Sequence, residues 1–406
     1  MNYSFLLIFL LITPFFAVSS HVMEAQAIVR DKKFNSIKKK VLLKNLKKKN
    51  CFESKFFKIV LAKSSKPLCL DHIDEKLKLK AATTYYHLSK AREYFLSEHN
   101  SDYVRSLEQI VVRLDLTNGF HELGHFKNDN HKPQYNNALT IPSGEGYPNR
   151  GIDSWDKEIW FRPSKKVHIS EIDASTTYNS FQQIFKSFRS QIHMTTLQRF
   201  LSDTIRQLEG NSNVVNQFST ENLLRTSGAS ILIELAFQSG PWLERFIQRK
   251  WYHLETALIP EIIYHEYAHV ALSDHLVVSH STPVIEGMAD FFAGKISGHD
   301  ELATHIKKYN TFSGKKADNK KRYREIFETT GMANTDFVFG LLWNLENVIG
   351  KHTSENLVYN LRTRIQTDST IADELLWAVF DECDEHCENF SQIRYDLYKY
   401  FYSQGI

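Results

Sequence analysis

The pentapeptide His265-Glu266-Tyr267-Ala268-His269 constrains this chain more than any other stretch of its sequence. Proline at the first helical position and apolar neighbours predict a helix over Pro260 to Leu272. Two histidines four positions apart lie one above the other on the same helix face. His265 and His269 are therefore candidate ligands of one zinc ion, and Glu266 is placed to act as a general base beside it. A five-residue pattern also arises by chance, so a third ligand has to support it.

A second predicted helix, residues 283–297, offers that ligand. It begins at Pro283, and Glu286 follows 17 positions after His269. A turn of this length lets the second helix fold back on the first, so that Glu286 completes three protein ligands and leaves the fourth position to water. Asp290, one helical turn later, is expected to accept the spare imidazole N–H of a histidine ligand. The alternative is a solvated acidic face, but the apolar neighbours would make unpaired carboxylates costly there.

Together, His265-Glu266-Tyr267-Ala268-His269 and Glu286-Gly287-Met288-Ala289-Asp290 resemble the gluzincin clan of zinc metallopeptidases. Thermolysin-like and fungalysin-like members of that clan carry HExxH and a downstream ExxxD. The specific match covers about 30 residues, and the interval between the second histidine and the glutamate is shorter than in the best-known branches, which leaves the subfamily open. Weaker similarities are Asn137-Ala138-Leu139, Trp343-Asn344-Leu345 and Tyr85-Tyr86-His87. The resemblance implies an α+β zincin fold, with an upstream mixed sheet and a mainly helical C-terminal half.

The same resemblance implies a zinc-dependent metalloendopeptidase that hydrolyses peptide bonds with a zinc-activated water and Glu266 as the general base. The protein or peptide substrate would lie along a sheet edge, either Ala138–Ile141 or Ile231–Phe237. The competing hypothesis is a catalytically inactive zinc-binding envelope protein that acts as a binding module. Glu266 argues against it, because metal binding alone does not need that carboxylate.

A transition-state donor is also expected, usually a Tyr or His from the C-terminal half of proteins in this clan. A thermolysin-like alignment on Gly340 brings Asp336 to the expected histidine position, which departs from the pattern. Each remaining candidate, taken alone, is more typical of a surface or packed residue. These candidates are His352, Tyr309, Tyr323 and Tyr359.

The N-terminus predicts export. An apolar run from Phe5 to Val18 is shorter than the ~20 residues that span a bilayer, and small residues follow it. Residues 1–20 are therefore predicted to be a cleaved signal peptide, and the protein to be secreted, periplasmic or located in the cell envelope. A membrane-anchored protein with an uncleaved segment is the alternative, because the basic flank follows the apolar run instead of preceding it.

Residues 29–66 carry the positive charge. They hold 14 Lys or Arg against 2 Asp or Glu, whereas residues 67–406 sum to −8 within a total of +3. Residues 21–66 are predicted to be a basic, solvated linker or a pro-segment. An amphipathic helix in contact with an anionic membrane surface is the alternative, since Val41, Leu42 and Leu43 interrupt the lysines. No nucleic acid is expected as a partner, because nothing else in the chain supports one.

The remaining 340 residues divide into a helix-plus-sheet part, 67–240, and a helical part with the zinc site, 241–406. In the first part, helical spacing over residues 73–98 precedes short alternating runs that predict strands. In the second part, apolar spacing predicts a series of helices. The predicted strands are 110–114, 137–141, 158–161 and 166–169, and the predicted helices are 241–258, 260–273, 283–297, 337–349 and 354–366.

Four cysteines in an exported chain predict disulfides. Two local pairs, Cys51 with Cys69 and Cys383 with Cys387, are the simplest of three connectivities, and the sequence does not choose among them. A second metal site at Cys383, His386 and Cys387 is a weaker alternative, because no further Cys or His lies nearby in the sequence.

Overall fold

The computed structural model describes residues 20–117, 138–141, 144–145, 154–155, 157–164, 167–168, 251–252, 255–274, 283–302, 315–317, 333–365, 371–387 and 390–404. In the first part of the described chain, strands are interspersed with helices. The last part is mainly helical. The strands are β1 (His21–Arg30), β2 (Ser36–Leu46), β3 (Phe57–Leu61), β4 (Ile110–Leu114), β5 (Ala138–Ile141), β6 (Gly144–Glu145), β7 (Ser154–Trp155), β8 (Glu158–Phe161), β9 (Val167–His168), β10 (Trp251–Tyr252), β11 (Glu301–Leu302) and β12 (Lys315–Lys316). The α-helices are α1 (Glu75–Glu98), α2 (Asp102–Ser106), α3 (Pro260–Leu272), α4 (Pro283–Ser297), α5 (Ala333–Asn344), α6 (Glu346–Ile349), α7 (Lys351–Asn360), α8 (Ile371–His386) and α9 (Phe390–Gln404).

Strands β1 and β2 form a long antiparallel hairpin. Met23 and Ala27 of β1 and Leu43 of β2 are buried, and they alternate with exposed residues along each strand. Apolar residues spaced two apart among lysines give a strand with one face on the core. Residues 21–46 therefore form neither the solvated linker nor the amphipathic helix expected from their charge. Removal of residues 21–66 as a pro-segment stays a prediction.

The central sheet has four strands in the order β3-β4-β8-β5. The first three are parallel, and β5 is antiparallel to β8 at one end of the order. Buried residues on one face of this sheet, including Ile59, Val112 and Ile159, join the main core, which also contains α1 and α3. The predicted strands at 110–114, 137–141 and 158–161 are confirmed within a residue.

Helix α1 links the hairpin to the sheet. Asp74 caps its first turn by accepting a hydrogen bond from the Leu77 N–H at 2.7 Å. Farther along the helix, the Thr83 hydroxyl oxygen accepts from the Ile28 N–H at 3.0 Å, and the Tyr85 hydroxyl donates to the Lys44 carbonyl at 2.8 Å. These side chains attach both strands of the hairpin to α1, so the hairpin is part of the folded body.

Helices α3 and α4 lie against each other, and α5 packs on α4. The approach of α4 to α5 depends on Gly287, because a Cβ there would overlap the side chain of Val338. The helix predicted over 241–258 is wrong where the structure describes it: Trp251–Tyr252 pairs with β9, and Thr256–Leu258 is a 3-10 helix. Tryptophan and tyrosine are common in strands, and here tertiary pairing outweighs the helical spacing. Residues 241–250 lie outside the described ranges.

One cluster of buried apolar residues extends from Met23 to Phe401. The three predicted parts, 21–66, 67–240 and 241–406, therefore contribute to a common core in the described regions. The α+β class is confirmed. Both local disulfides are present, Cys51–Cys69 and Cys383–Cys387.

No helix among the described residues is long and apolar enough to cross a membrane. The apolar run from Phe5 to Val18 lies outside those residues. The predicted substrate edge Ile231–Phe237 also lies outside them.

Candidate metal centre

Helix α3 carries both histidines of the pentapeptide on one face. Ile259, in an extended conformation, precedes Pro260, whose fixed φ and missing N–H suit the first turn. Eleven of the thirteen residues of α3 are buried, so this is an internal helix whose position is set by packing on every side. His265 and His269 thus lie on a rigid support, with their ring centroids 4.6 Å apart.

Glu286 of α4 meets the two imidazoles. Its carboxylate oxygens lie 3.2 Å from His265 Nε2 and 3.5 Å from His269 Nε2, and the two Nε2 atoms are 3.0 Å apart. Donor atoms around a tetrahedral zinc ion are separated by roughly 3.3 Å, because the zinc–ligand bonds are about 2.0–2.2 Å long. The two nitrogens therefore lie close to this spacing from each other, and each lies close to it from one of the two oxygens of the Glu286 carboxylate.

Asp290 orients the first histidine. Its carboxylate oxygen Oδ1 lies 2.8 Å from His265 Nδ1, and its side chain is almost fully buried. A proton on Nδ1 leaves the lone pair of Nε2 directed at His269 and Glu286, which is the tautomer a metal ligand needs. For His269, the Nδ1 atom is buried and has no hydrogen-bond partner among the described residues.

The electrostatics of the cluster favour positive charge. Burial lowers the pKa of His265, but the carboxylates of Asp290 and Glu286 outweigh burial and raise that pKa to about 10. Burial also opposes ionisation of Glu286, yet the two imidazoles hold its pKa well below the usual range. Side chains that stabilise the protonated, positively charged form of His265 this strongly also suit a divalent metal ion.

Glu266 lies beside these ligands and is itself buried. Burial raises its pKa, while the neighbouring His265 and His269 and a hydrogen bond from Thr140 act in the opposite direction. The Thr140 hydroxyl oxygen is 2.8 Å from Glu266 Oε2 and 2.8 Å from the Glu266 carbonyl oxygen. The sequence does not predict Thr140 as part of the site. Alternation along the predicted strand 137–141 puts it on one face with Ala138, but the pattern does not say what that face meets.

The candidate transition-state donors are not brought to this cluster where the structure describes them. His352 is an exposed residue of α7 whose Nε2 contacts the Asn356 amide. Tyr359 is buried, and its hydroxyl group is hydrogen-bonded to Ser101 at 2.5 Å, the residue that caps α2. Tyr309 and Tyr323 lie outside the described residues, and Asp336 lies in the first turn of α5.

The weaker prediction of a second metal site at Cys383, His386 and Cys387 is wrong, because the two cysteines form a disulfide. Two carboxylates, Glu382 and Glu385, do lie close to His386. Both are ion-paired with Arg364, at 2.9 and 2.5 Å. A guanidinium group already supplies the positive charge that a cation would bring to this place.

Comparison with protein-family models and with curated proteins found no match for this chain.

Proposed function

We propose that this protein is a zinc-dependent metalloendopeptidase with a zincin fold, exported to the cell envelope or beyond. The observation that carries the proposal is the convergence of His265, His269 and Glu286 close to tetrahedral spacing, with the Glu266 carboxylate beside them. Metal binding accounts for the first three residues. The Glu266 carboxylate is buried beside them and is not needed as a ligand. A role in proton transfer explains its presence.

In this proposal His265, His269 and Glu286 hold the ion, and Asp290 keeps His265 in the metal-binding tautomer. The zinc ion, when bound, supplies a Lewis acid that lowers the pKa of a water and polarises a carbonyl group. Glu266 then accepts the proton of the attacking water and delivers it to the leaving amine. Its raised pKa brings the carboxylate closer to the pH of the reaction, which makes it a better acceptor.

The substrate is an extended peptide segment in this proposal. Strand β5 ends the order of the central sheet, and Thr140 of the same strand touches Glu266. Among the described strands β5 pairs only with β8, and a peptide paired with its other side would pass beside the proton acceptor, held by main-chain hydrogen bonds. This arrangement favours an endopeptidase, because main-chain pairing along an edge does not require a free chain end.

Export is supported by the two disulfides, since such bonds form and persist in oxidising compartments. It is further supported by the apolar run before β1, which resembles a secretory signal.

The deciding experiment compares the wild-type chain with Glu266→Gln, measuring zinc content and cleavage of casein. We expect equal zinc content and complete loss of cleavage in the variant, because the amide cannot accept the proton. Glu75→Gln, on the exposed first turn of α1, serves as a matched control and should retain both properties. Zinc binding by both proteins without cleavage of any peptide library would instead establish the non-catalytic zinc-binding protein. A wild-type chain that binds no zinc would overturn both.

A further inference from the structure

Strand β2 has an exposed face on which lysines alternate with one leucine. Lys38, Lys40, Leu42 and Lys44 are all exposed at every second position, whereas Val41 and Leu43 between them are buried. The exposed face continues on strand β1 with Glu24, which lies opposite Leu42, and with Val22, which is 49% exposed. We name this set, Lys38, Lys40, Leu42, Lys44 and Val22, the lysine face.

The charge on the lysine face is largely uncompensated. Lys40 forms an exposed ion pair with Glu24 at 2.8 Å, which is a weak interaction in water. Lys38 and Lys44 have no acidic partner in the part of the chain that the structure describes. Lys48 and Lys49, exposed in the turn after β2, extend the positive region. Such a surface attracts anions over a distance of about a Debye length, ~8 Å at physiological salt.

An apolar side chain lies within this positive surface. Leu42 is 57% exposed, with a lysine two positions away on each side of it along the strand. Flexible lysine side chains can reach phosphate groups while a leucine between them enters the boundary of the acyl chains. A polyanion such as nucleic acid would use the lysines but gain little from Leu42. Charge and apolar exposure together fit a lipid surface better than a purely charged partner.

The lysine face also belongs to a rigid support at the start of the folded body. The hairpin is fixed to α1 by Thr83 and Tyr85 and to α3 by the ion pair of Arg30 with Glu261. It directly follows the apolar run from Phe5 to Val18, which brings the chain to a membrane during export whether that run is cleaved or retained. The lysine face therefore lies close in the sequence to a segment that is predicted to meet a membrane.

We propose that the lysine face docks this protein on a bilayer that contains anionic phospholipids, with the lysines on the headgroups and Leu42 and Val22 at the acyl boundary. This docking involves none of the zinc-site residues, so it stands or falls independently of the proposed peptidase.

The test measures binding of the full chain to phosphatidylcholine vesicles with and without phosphatidylserine. The ratio of the two binding constants is the readout, because an apolar N-terminal segment would enter both kinds of vesicle alike. We expect preferential binding to the anionic vesicles that weakens as salt is raised. The double variant Lys38→Gln/Lys44→Gln should lower the anionic binding constant by more than tenfold, since each lysine near such a surface contributes about a fivefold factor.

Two further variants make the result specific. Lys351→Gln/Lys399→Gln changes the net charge equally on exposed positions of α7 and α9, and it should leave vesicle binding unchanged. Leu42→Gln should weaken binding to anionic vesicles severalfold without altering the salt dependence. Equal losses in both lysine pairs, or no loss in the first, would overturn the proposal. The proposal would also be overturned if the protein bound heparin as tightly as vesicles and Leu42→Gln did not change vesicle binding. That result would indicate a general polyanion-binding surface.

Discussion

The Thr140 hydroxyl oxygen lies 2.8 Å from the Glu266 carboxylate oxygen Oε2, and so joins the edge strand β5 to the candidate proton acceptor on α3. Both residues are buried. The contact fixes the rotamer of Glu266 and lowers its pKa against the larger, opposite effect of burial.

Replacing Thr140 with valine removes this hydrogen bond at nearly constant volume. We expect kcat/KM for peptide cleavage to fall about tenfold, since a hydrogen bond to a charged group contributes about 1.5–3 kcal/mol. The pKa of Glu266 rises without the bond, so the acidic limb of the activity profile should move to higher pH. Zinc content should not change. Thr140→Ser keeps the hydroxyl group and should restore the profile; an unmoved acidic limb in Thr140→Val would contradict the role of this contact.

Asp290→Asn should weaken zinc binding by about 10- to 100-fold, because the carboxylate that orients His265 is lost. Competition with a coloured chelator measures the change directly, without reference to activity. Asp71→Asn, at an exposed position before α1, is the matched control. Unaltered zinc affinity in Asp290→Asn would mean that Asp290 stabilises the fold and not the ligand.

The ion pair between Arg30 and Glu261 should be a major contact between the hairpin and α3. Its two hydrogen bonds are 2.6 and 2.7 Å long, and both side chains are buried. Arg30→Met removes both of these hydrogen bonds from the buried Glu261 carboxylate and should cost about 3–5 kcal/mol of unfolding free energy in urea. Adding Glu261→Met should recover most of the loss. Lys40→Met, which breaks an exposed pair, should cost far less; a similar cost for both single variants would refute the distinction.

Gly287 sets how closely α4 approaches α5. Gly287→Ala forces its new methyl group onto Val338, and we expect a loss of about 1–3 kcal/mol from overpacking. Since Glu286 is the adjacent residue, zinc affinity should also fall. Val338→Gly removes both side-chain atoms that the methyl group would overlap, so the double variant should regain zinc affinity. Failure of that rescue would show that another feature of the glycine is required.

Stability should decrease in mild acid because of His87. Burial, with smaller effects from the charges of Lys90 and Arg30, lowers the pKa of His87 to about 4 against its unfolded value of 6.5. The unfolded chain therefore binds a proton first, and the contribution present above pH 6.5 is lost as the pH falls toward 4, by about 3 kcal/mol. Urea unfolding between these pH values should show a smaller decline for His87→Asn than for the wild type. Parallel curves would contradict the assignment.

Helices α3 and α4 could be predicted from the sequence because their signals are local. Proline marks the first residue of both α3 and α4, and the spacing of His265, His269 and Glu286 carries the ligand geometry within 22 positions. The contact of Thr140 with Glu266 spans 126 positions. It depends on the order of strands in the sheet, which the periodicity of a single strand does not contain.

Residues 21–46 differ from the predicted linker for another physical reason. Lysine composition indicates solvation when it is averaged over a segment, yet β2 buries Val41, Leu43 and Leu46 while its lysines extend outward. The alternation of apolar residues with lysines indicates this buried face, whereas the average composition of the segment does not. At β10 the periodicity itself is misleading. The spacing of apolar residues around Trp251 predicts a helix, but the residues pair with β9.

The attachment of the hairpin also determines the order in which the molecule can be assembled. Arg30 and Glu261 are separated by 231 positions, so β1 and β2 leave the ribosome long before α3 exists. Until then the part of the hairpin that meets α3 is open to other chains. Contacts of such sequence separation also form slowly. We therefore expect that fragments that end before α3 aggregate more readily than the full chain.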